Sequence, residues 1–107
     1  IYYILTMENK IVGGAGIAPL KNSDKNICEL QKMYFLTVAR GKGLGSLMIK
    51  KCIDFASKSK FQYCYIETMH NMIKAQKLYK SYGFEFIESP LGNTGHSSCP
   101  VWMLKKL

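Results

Sequence analysis

Glu29-Leu30-Gln31-Lys32-Met33-Tyr34-Phe35-Leu36-Thr37-Val38-Ala39-Arg40-Gly41-Lys42-Gly43-Leu44-Gly45 is the stretch on which the reading of this chain turns. An apolar run ends at Leu36, a short link follows, and Arg40 to Gly45 then leads straight into helical periodicity. Strand, glycine-rich turn and helix N-terminus in that order make a phosphate site. Glycines let the backbone turn tightly and bring its N–H groups near a ligand, and the starting helix aims its unpaired donors and positive dipole end at the same place. Arg40 and Lys42 add formal positive charge to that anion hole.

Outward from this turn, the pattern before it is strand-like. Residues 1 to 7 and 11 to 18 flank the polar turn Glu8-Asn9-Lys10 and predict a hairpin. Gly13-Gly14 in its second strand implies a bulge or a close backbone approach there. Pro19 stops that strand, 21 to 26 is a polar loop, and a third strand runs from about Ile27 to Leu36. After Gly43, Leu44, Leu47, Met48, Cys52, Phe55 and Ala56 recur at helical spacing, predicting an amphipathic helix of about four turns. Phe61 to Thr68 reads as a strand, parallel to the third by the crossover rule. A second helix opens at His70-Asn71-Met72, with Asn71 as its expected N-cap, and closes at Gly83. Phe84 to Glu88 and Val101 to Leu104 predict an antiparallel pair joined by the loop Ser89 to Pro100. The expected order is β-β-β-α-β-α-β-β, an α/β chain with a mixed sheet and helices packed on it.

The bulk numbers bound the rest. A chain of 107 residues is a single domain, 1–107, with a modest core. No apolar run approaches the roughly 20 residues that span a bilayer, and no signal peptide is evident, so a soluble, cytoplasmic protein is expected. The formal charge of +8 invites a nucleic-acid reading. The lysines are scattered and form no stripe or binding module, so a solvated basic surface suited to a polyanionic ligand is the better reading. Cys28, Cys52, Cys64 and Cys99 contain no Cys-x-x-Cys pair, and the histidines are not spaced for zinc; buried free thiols and no metal are expected.

Three phosphate-loop patterns compete for the turn. The P-loop requires a Lys-Ser/Thr pair after its glycines, which is missing. The dinucleotide fingerprint, counted from Gly41, would need its third glycine at Ser46, although Glu67 lies at a fitting distance for its acidic residue. The third pattern, Arg/Gln-x-x-Gly-x-Gly/Ala, is matched by Arg40, Gly43 and Gly45. It is the diphosphate signature of the GCN5-related N-acetyltransferase (GNAT) superfamily, which this chain resembles. A second landmark, Asn-x-x-x-Ala-x-x-x-Tyr-x-x-x-Gly-Phe, is matched by Asn71, Ala75, Tyr79, Gly83 and Phe84. The resemblance covers nearly all of the chain and implies the GNAT fold without its first strand and first two helices; with Ile1 in place of an initiator methionine, the domain is expected to be N-terminally incomplete.

What the resemblance implies is direct transfer of an acetyl group from acetyl-CoA to a primary amine, with a non-catalytic acyl-CoA sensor as the alternative. Tyr79 would protonate the departing thiolate. Glu29, in the strand before the turn, would serve as base, with His96 in the late polar loop as the competing base and His70 behind it. Backbone groups at Phe35 and Leu36 would bond the pantetheine arm, Arg40, Gly41, Lys42, Gly43, Leu44, Gly45 and Ser46 would hold the diphosphate, and Asn71 would touch the arm from the other side. The family's Val-x-Pro is replaced here by Leu36-Thr37-Val38, a departure of small consequence where backbone amides do the binding. Cys99 keeps a covalent route formally open. The acceptor amine is not specified, and a sheet short of covering helices makes a homodimer a further expectation.

Overall fold

The computed structural model describes residues 1–21, 26–92 and 101–107, apart from the side chain of Lys32. Its strands are β1 (Tyr2–Met7), β2 (Lys10–Pro19), β3 (Ile27–Phe35), β4 (Tyr63–Thr68), β5 (Glu85–Ile87) and β6 (Val101–Lys106), and its helices are α1 (Leu44–Lys58) and α2 (Ile73–Ser81). A short 3₁₀ turn, Thr37–Ala39, which the sequence did not announce, joins β3 to the glycine-rich turn. The six strands form one sheet in the order β1-β2-β3-β4-β6-β5. Among the described residues β3 and β4 run parallel and every other pairing is antiparallel. The predicted order of elements is met, as is the mixed sheet. Local signals did not reveal that β6 inserts between β4 and β5.

Both helices cover the same face. Met48, Ile49, Cys52 and Ala56 of α1 and Tyr79 of α2 pack on Ala15, Ile17, Cys28, Leu30, Cys64, Ile66, Val101 and Met103 in one cluster. Strand alternation turns Tyr2, Ile4, Glu29, Tyr65 and Glu67 to the second face, which no described helix covers. None of the described helices is long and apolar enough to cross a membrane. Cys28, Cys52 and Cys64 are buried free thiols, as expected; Cys99 lies outside the described residues.

Two irregularities in the sheet position the site. Leu5 faces Gly13 while Thr6 faces Ile11, so β2 carries an extra residue at Val12. Across the next ladder Gly14 faces Tyr34 and Gly16 faces Gln31, so the extra residue there belongs to β3. The irregularities flank the expected Gly13-Gly14 position, and the second is the consequential one. It reverses the side-chain alternation of β3, so that Cys28 and Leu30 before it and Met33 and Phe35 after it all face the helices. It also bends β3 away from its neighbour. The parallel ladder holds only Ile27 to Tyr63, Cys28 to Cys64 and Glu29 to Tyr65, and beyond Glu29 the two strands part.

The glycines of β2 are required by what lies over them. A Cβ on Gly13 would come within 2.7 Å of the Phe35 ring and 2.8 Å of the Tyr34 carbonyl oxygen, whereas one on Gly14 would meet the end of the Tyr2 side chain. A ladder carbonyl cannot swing aside, but Tyr2, half-exposed on the edge strand β1, can. Gly13→Ala is therefore expected to destabilise the chain by roughly 1–3 kcal/mol in urea unfolding, and Gly14→Ala by distinctly less; equal losses would contradict this account.

Candidate active site

The turn after β3 folds as its glycines allow. Gly41 and Gly43 adopt φ of 75° and 72°, left-handed conformations that disfavour any side chain, and Gly43 caps α1 without a side-chain hydrogen bond. The first bond of the helix runs from the Leu47 N–H to the Gly43 carbonyl at 3.2 Å, so the amides of Leu44, Gly45 and Ser46 point out of the helix end. No acidic residue in the first turn offsets the positive end of the dipole. Arg40 donates from Nε to the Phe35 carbonyl at 2.9 Å, which lays its guanidinium back along the end of β3; Lys42 is exposed.

Where β3 and β4 part, a cleft of about 770 Å³ opens between the end of β3, the turn and α2. Phe35, Arg40, Gly41, Gly45, Asn71 and Tyr79, all expected site residues, line it. The sequence missed its apolar walls, Met33, Met72, Ile73 and Leu78, although Leu78 falls on the helical face shared by Asn71, Ala75 and Tyr79. Of the two residues expected to bond an arm in the cleft, the structure turns only Phe35 to the open edge. The Leu36 N–H is engaged with the Val12 carbonyl at 2.8 Å and its carbonyl accepts from the Ala39 N–H, so Leu36 is bound into the sheet and the 3₁₀ turn. Ser46 sets its hydroxyl against the Tyr82 hydroxyl, and only its amide faces the helix end.

α2 departs from expectation at its start. Its N-cap is Met72, not Asn71, and no side chain caps it; Gln76 instead donates to the Met69 carbonyl at 2.7 Å and holds the preceding turn, leaving Asn71 on the cleft wall. Its end follows the glycine rule in full. The Phe84 N–H reaches the Tyr79 carbonyl at 3.1 Å, the Gly83 N–H reaches the Lys80 carbonyl at 3.0 Å, and Gly83 has φ of 93°. The Phe84 and Tyr79 rings meet edge to face with centroids 6.0 Å apart. Gly83-Phe84 thereby fixes Tyr79, which is 7% exposed and directs its hydroxyl toward Met33 Sδ at 3.8 Å. Desolvation pushes the phenol up to about 12, so it stays protonated at neutral pH and can donate.

On the second face, at the last paired rung of β3 and β4, Glu29 lies buried at 5% exposure and accepts a hydrogen bond from Gln31 Nε2 at 2.7 Å. Opposite it Tyr65 donates to Glu67 Oε2 at 2.7 Å and accepts from the Leu91 N–H at 3.2 Å. Burial and the Glu67 hydrogen bond hold the Tyr65 phenol well above its ordinary value. Glu29 does not belong to the cleft wall; it lies on the opposite face of the sheet, at the last rung before the strands part. His70 is exposed beside α2, and His96 lies outside the described residues. Two of the buried thiols are poor nucleophiles: burial pushes Cys52 up to about 11, and a hydrogen bond with Cys28 together with burial keeps Cys64 well above its usual value, while the same hydrogen bond lowers Cys28.

Residues 1–84 match the profile of the Acetyltransferase (GNAT) family, and the chain belongs to that family. It is 46% identical over 106 residues to a protein named Uncharacterized N-acetyltransferase YjgM of Escherichia coli (strain K12), a match covering 99% of this chain and 64% of that protein. The chain thus spans less than two thirds of that relative's length. Among solved structures, a GNAT-family acetyltransferase from Staphylococcus aureus MU50 superimposes with a TM-score of 0.87 at 23% identity, covering 99% of this chain and 67% of that one. A GNAT-family acetyltransferase from Elizabethkingia anophelis with acetyl-CoA bound gives 0.77 at 18% identity, covering 99% and 75%. At these identities the likeness is one of fold.

The raised phenol has a consequence for stability. With an unfolded pKa near 10 and a folded one of about 12, the unfolded chain loses this proton first, so between those values the native state binds more protons and stability falls as pH rises. Tyr79→Phe should flatten that part of the curve. Urea unfolding of parent and variant across this alkaline range checks it; parallel curves would contradict the assignment.

Proposed function

We propose that this protein is an acetyl-CoA-dependent N-acetyltransferase that acts on a primary amine in a ternary complex. The observation that carries the reading is the parting of β3 and β4 beyond Glu29, where a cleft lined by Tyr79 opens on the helix face and a buried carboxylate stands at the last paired rung on the other. The residues present fit the ligand. Three outward amides, Arg40 and two αL glycines suit a diphosphate, and the apolar walls Met33, Met72, Ile73 and Leu78 suit a thin, largely apolar arm. The edge of β3 at Phe35, which has no partner in β4 and whose carbonyl Arg40 already holds, offers its N–H to that arm, and Asn71 faces it from α2. Membership of the family, the E. coli relative's name and the acetyl-CoA-bound Elizabethkingia neighbour support the choice.

Bound along the cleft, acetyl-CoA would supply the thioester that a neutral amine attacks. An alkylammonium has a pKa near 10, so it must first surrender a proton. Glu29 takes that proton from the second face, where Gln31 holds one of its carboxylate oxygens. Tyr79 gives its phenolic proton to the sulfur as the thiolate leaves; it is reliably protonated at neutral pH. From the ammonium, the nitrogen gains the acetyl group and loses two protons, one to Glu29 and a second, after attack, that restores the Tyr79 phenol; the sulfur keeps the phenolic proton, Glu29 returns its own to solvent, and no protein group is acylated on the way.

Tyr79→Phe and Glu29→Gln are each expected to lower kcat about 100-fold or more with KM for acetyl-CoA little changed. Arg40→Glu should instead weaken coenzyme A binding at least about tenfold while the fold persists. Calorimetry and a steady-state assay on a panel of amines test these roles. Folded protein that binds coenzyme A and transfers acetyl to none of the amines would leave the acyl-CoA sensor as the reading; no uptake of coenzyme A would end both.

A further inference from the structure

Ser46 directly follows the signature of the turn and is expected to hold the diphosphate, yet its side chain is turned away from the helix end. Its hydroxyl meets the hydroxyl of Tyr82, and the Tyr82 hydroxyl also donates to the Ser46 carbonyl oxygen at 3.2 Å. With the phenol's proton on the carbonyl, the serine donates to the phenol oxygen. Both hydroxyls are then consumed in a closed loop between residues 36 positions apart, in a half-buried setting. One residue away, a Cβ on Gly45 would stand 3.4 Å from Leu78 Cδ2. Leu78 and Tyr82 are one helical turn apart at the end of α2, so the first turn of α1 rests on that helix at two successive points. Gly45 supplies the close approach and Ser46 the polar lock.

We infer that Tyr82 is a positioning residue for the phosphate turn: its hydroxyl, locked to Ser46, sets the orientation in which the amides of Leu44, Gly45 and Ser46 meet an anion. This rests on the coenzyme A reading above and goes beyond it. α2 then serves the ligand twice. Asn71 and Tyr79 face the cleft directly, and Tyr82 acts through α1. The Ser46 contribution to binding is its amide, not its hydroxyl.

The test measures coenzyme A, ADP and pantetheine binding by calorimetry on the whole chain, with circular dichroism confirming that every variant is folded. Tyr82→Phe and Ser46→Ala should each weaken coenzyme A and ADP about 3- to 10-fold, the range set by one net hydrogen bond. The double variant should be no weaker than either single one, since all three lack the same lock. Pantetheine, which has no diphosphate, should bind each variant as it binds the parent, and Ser46→Thr, which keeps a hydroxyl, should bind coenzyme A as the parent does. Unchanged coenzyme A binding in folded Tyr82→Phe overturns the inference, and so do additive losses. Equal weakening of pantetheine overturns it too, because a general loosening of α2 would do that. A parent chain that takes up no coenzyme A sinks the proposed function and this inference with it, whereas uptake by the parent with unaltered variants sinks this inference alone.

Discussion

Everything in this molecule that bears on function depends on a parallel ladder that stops early. β3 and β4 share three rungs and then separate, although β3 continues to Phe35. Backbone N–H and C=O groups left without a strand partner are costly unless something else meets them. Here the bend is built in by an extra residue on β3 opposite Gly14 to Gly16, and one freed carbonyl, that of Phe35, is taken by Arg40. The same irregularity switches which side chains of β3 face the helices. Without it Glu29, Gln31, Met33 and Phe35 would share one face, and the carboxylate and the apolar cleft wall could not stand on opposite sides of the sheet.

The second organising element is α2, whose nine-residue length belies how many constraints converge on it. Its C-terminal glycine motif draws Phe84 back under Tyr79, and that contact is part of the main core. A tyrosine held this way keeps its hydroxyl in a desolvated place without freedom to turn to solvent. The gain is a donor whose proton is secure at neutral pH; the cost is a phenol that opposes ionisation and so penalises the fold in alkali. The spacing Asn71, Ala75, Tyr79 places the cleft-lining groups on one stripe, and Leu78 and Tyr82 lie beside it against α1.

A chain with a net charge of +8 binds anions in many places weakly. What sets the turn apart is directed geometry: backbone donors, one guanidinium tied to the strand end, and no carboxylate in the helix's first turn. Charge raises encounter with any polyanion, while oriented amides decide which one is held. The second face has the opposite character, with Glu29 and Glu67 on either side of Tyr65 in an otherwise basic protein.

By itself the sequence determined the elements whose causes are local. Gly41 and Gly43 announced a tight turn, the periodicity after Gly43 announced α1, Gly83 announced the end of α2, and the two residue patterns through Arg40 and Asn71 identified the family and part of the cleft. Local chemistry suffices there, because φ, helical spacing and capping act within a few residues. It misplaced the α2 cap, which falls one residue later at Met72 and is made without a side chain, while Asn71 lines the cleft. Only the tertiary structure decided how far β3 and β4 stay together, that β6 enters between β4 and β5, that Leu36 spends its amide on β2, and that the Ser46 hydroxyl belongs to Tyr82. Each of these depends on which distant segment offers a hydrogen-bond partner, and no window of neighbouring residues contains that information.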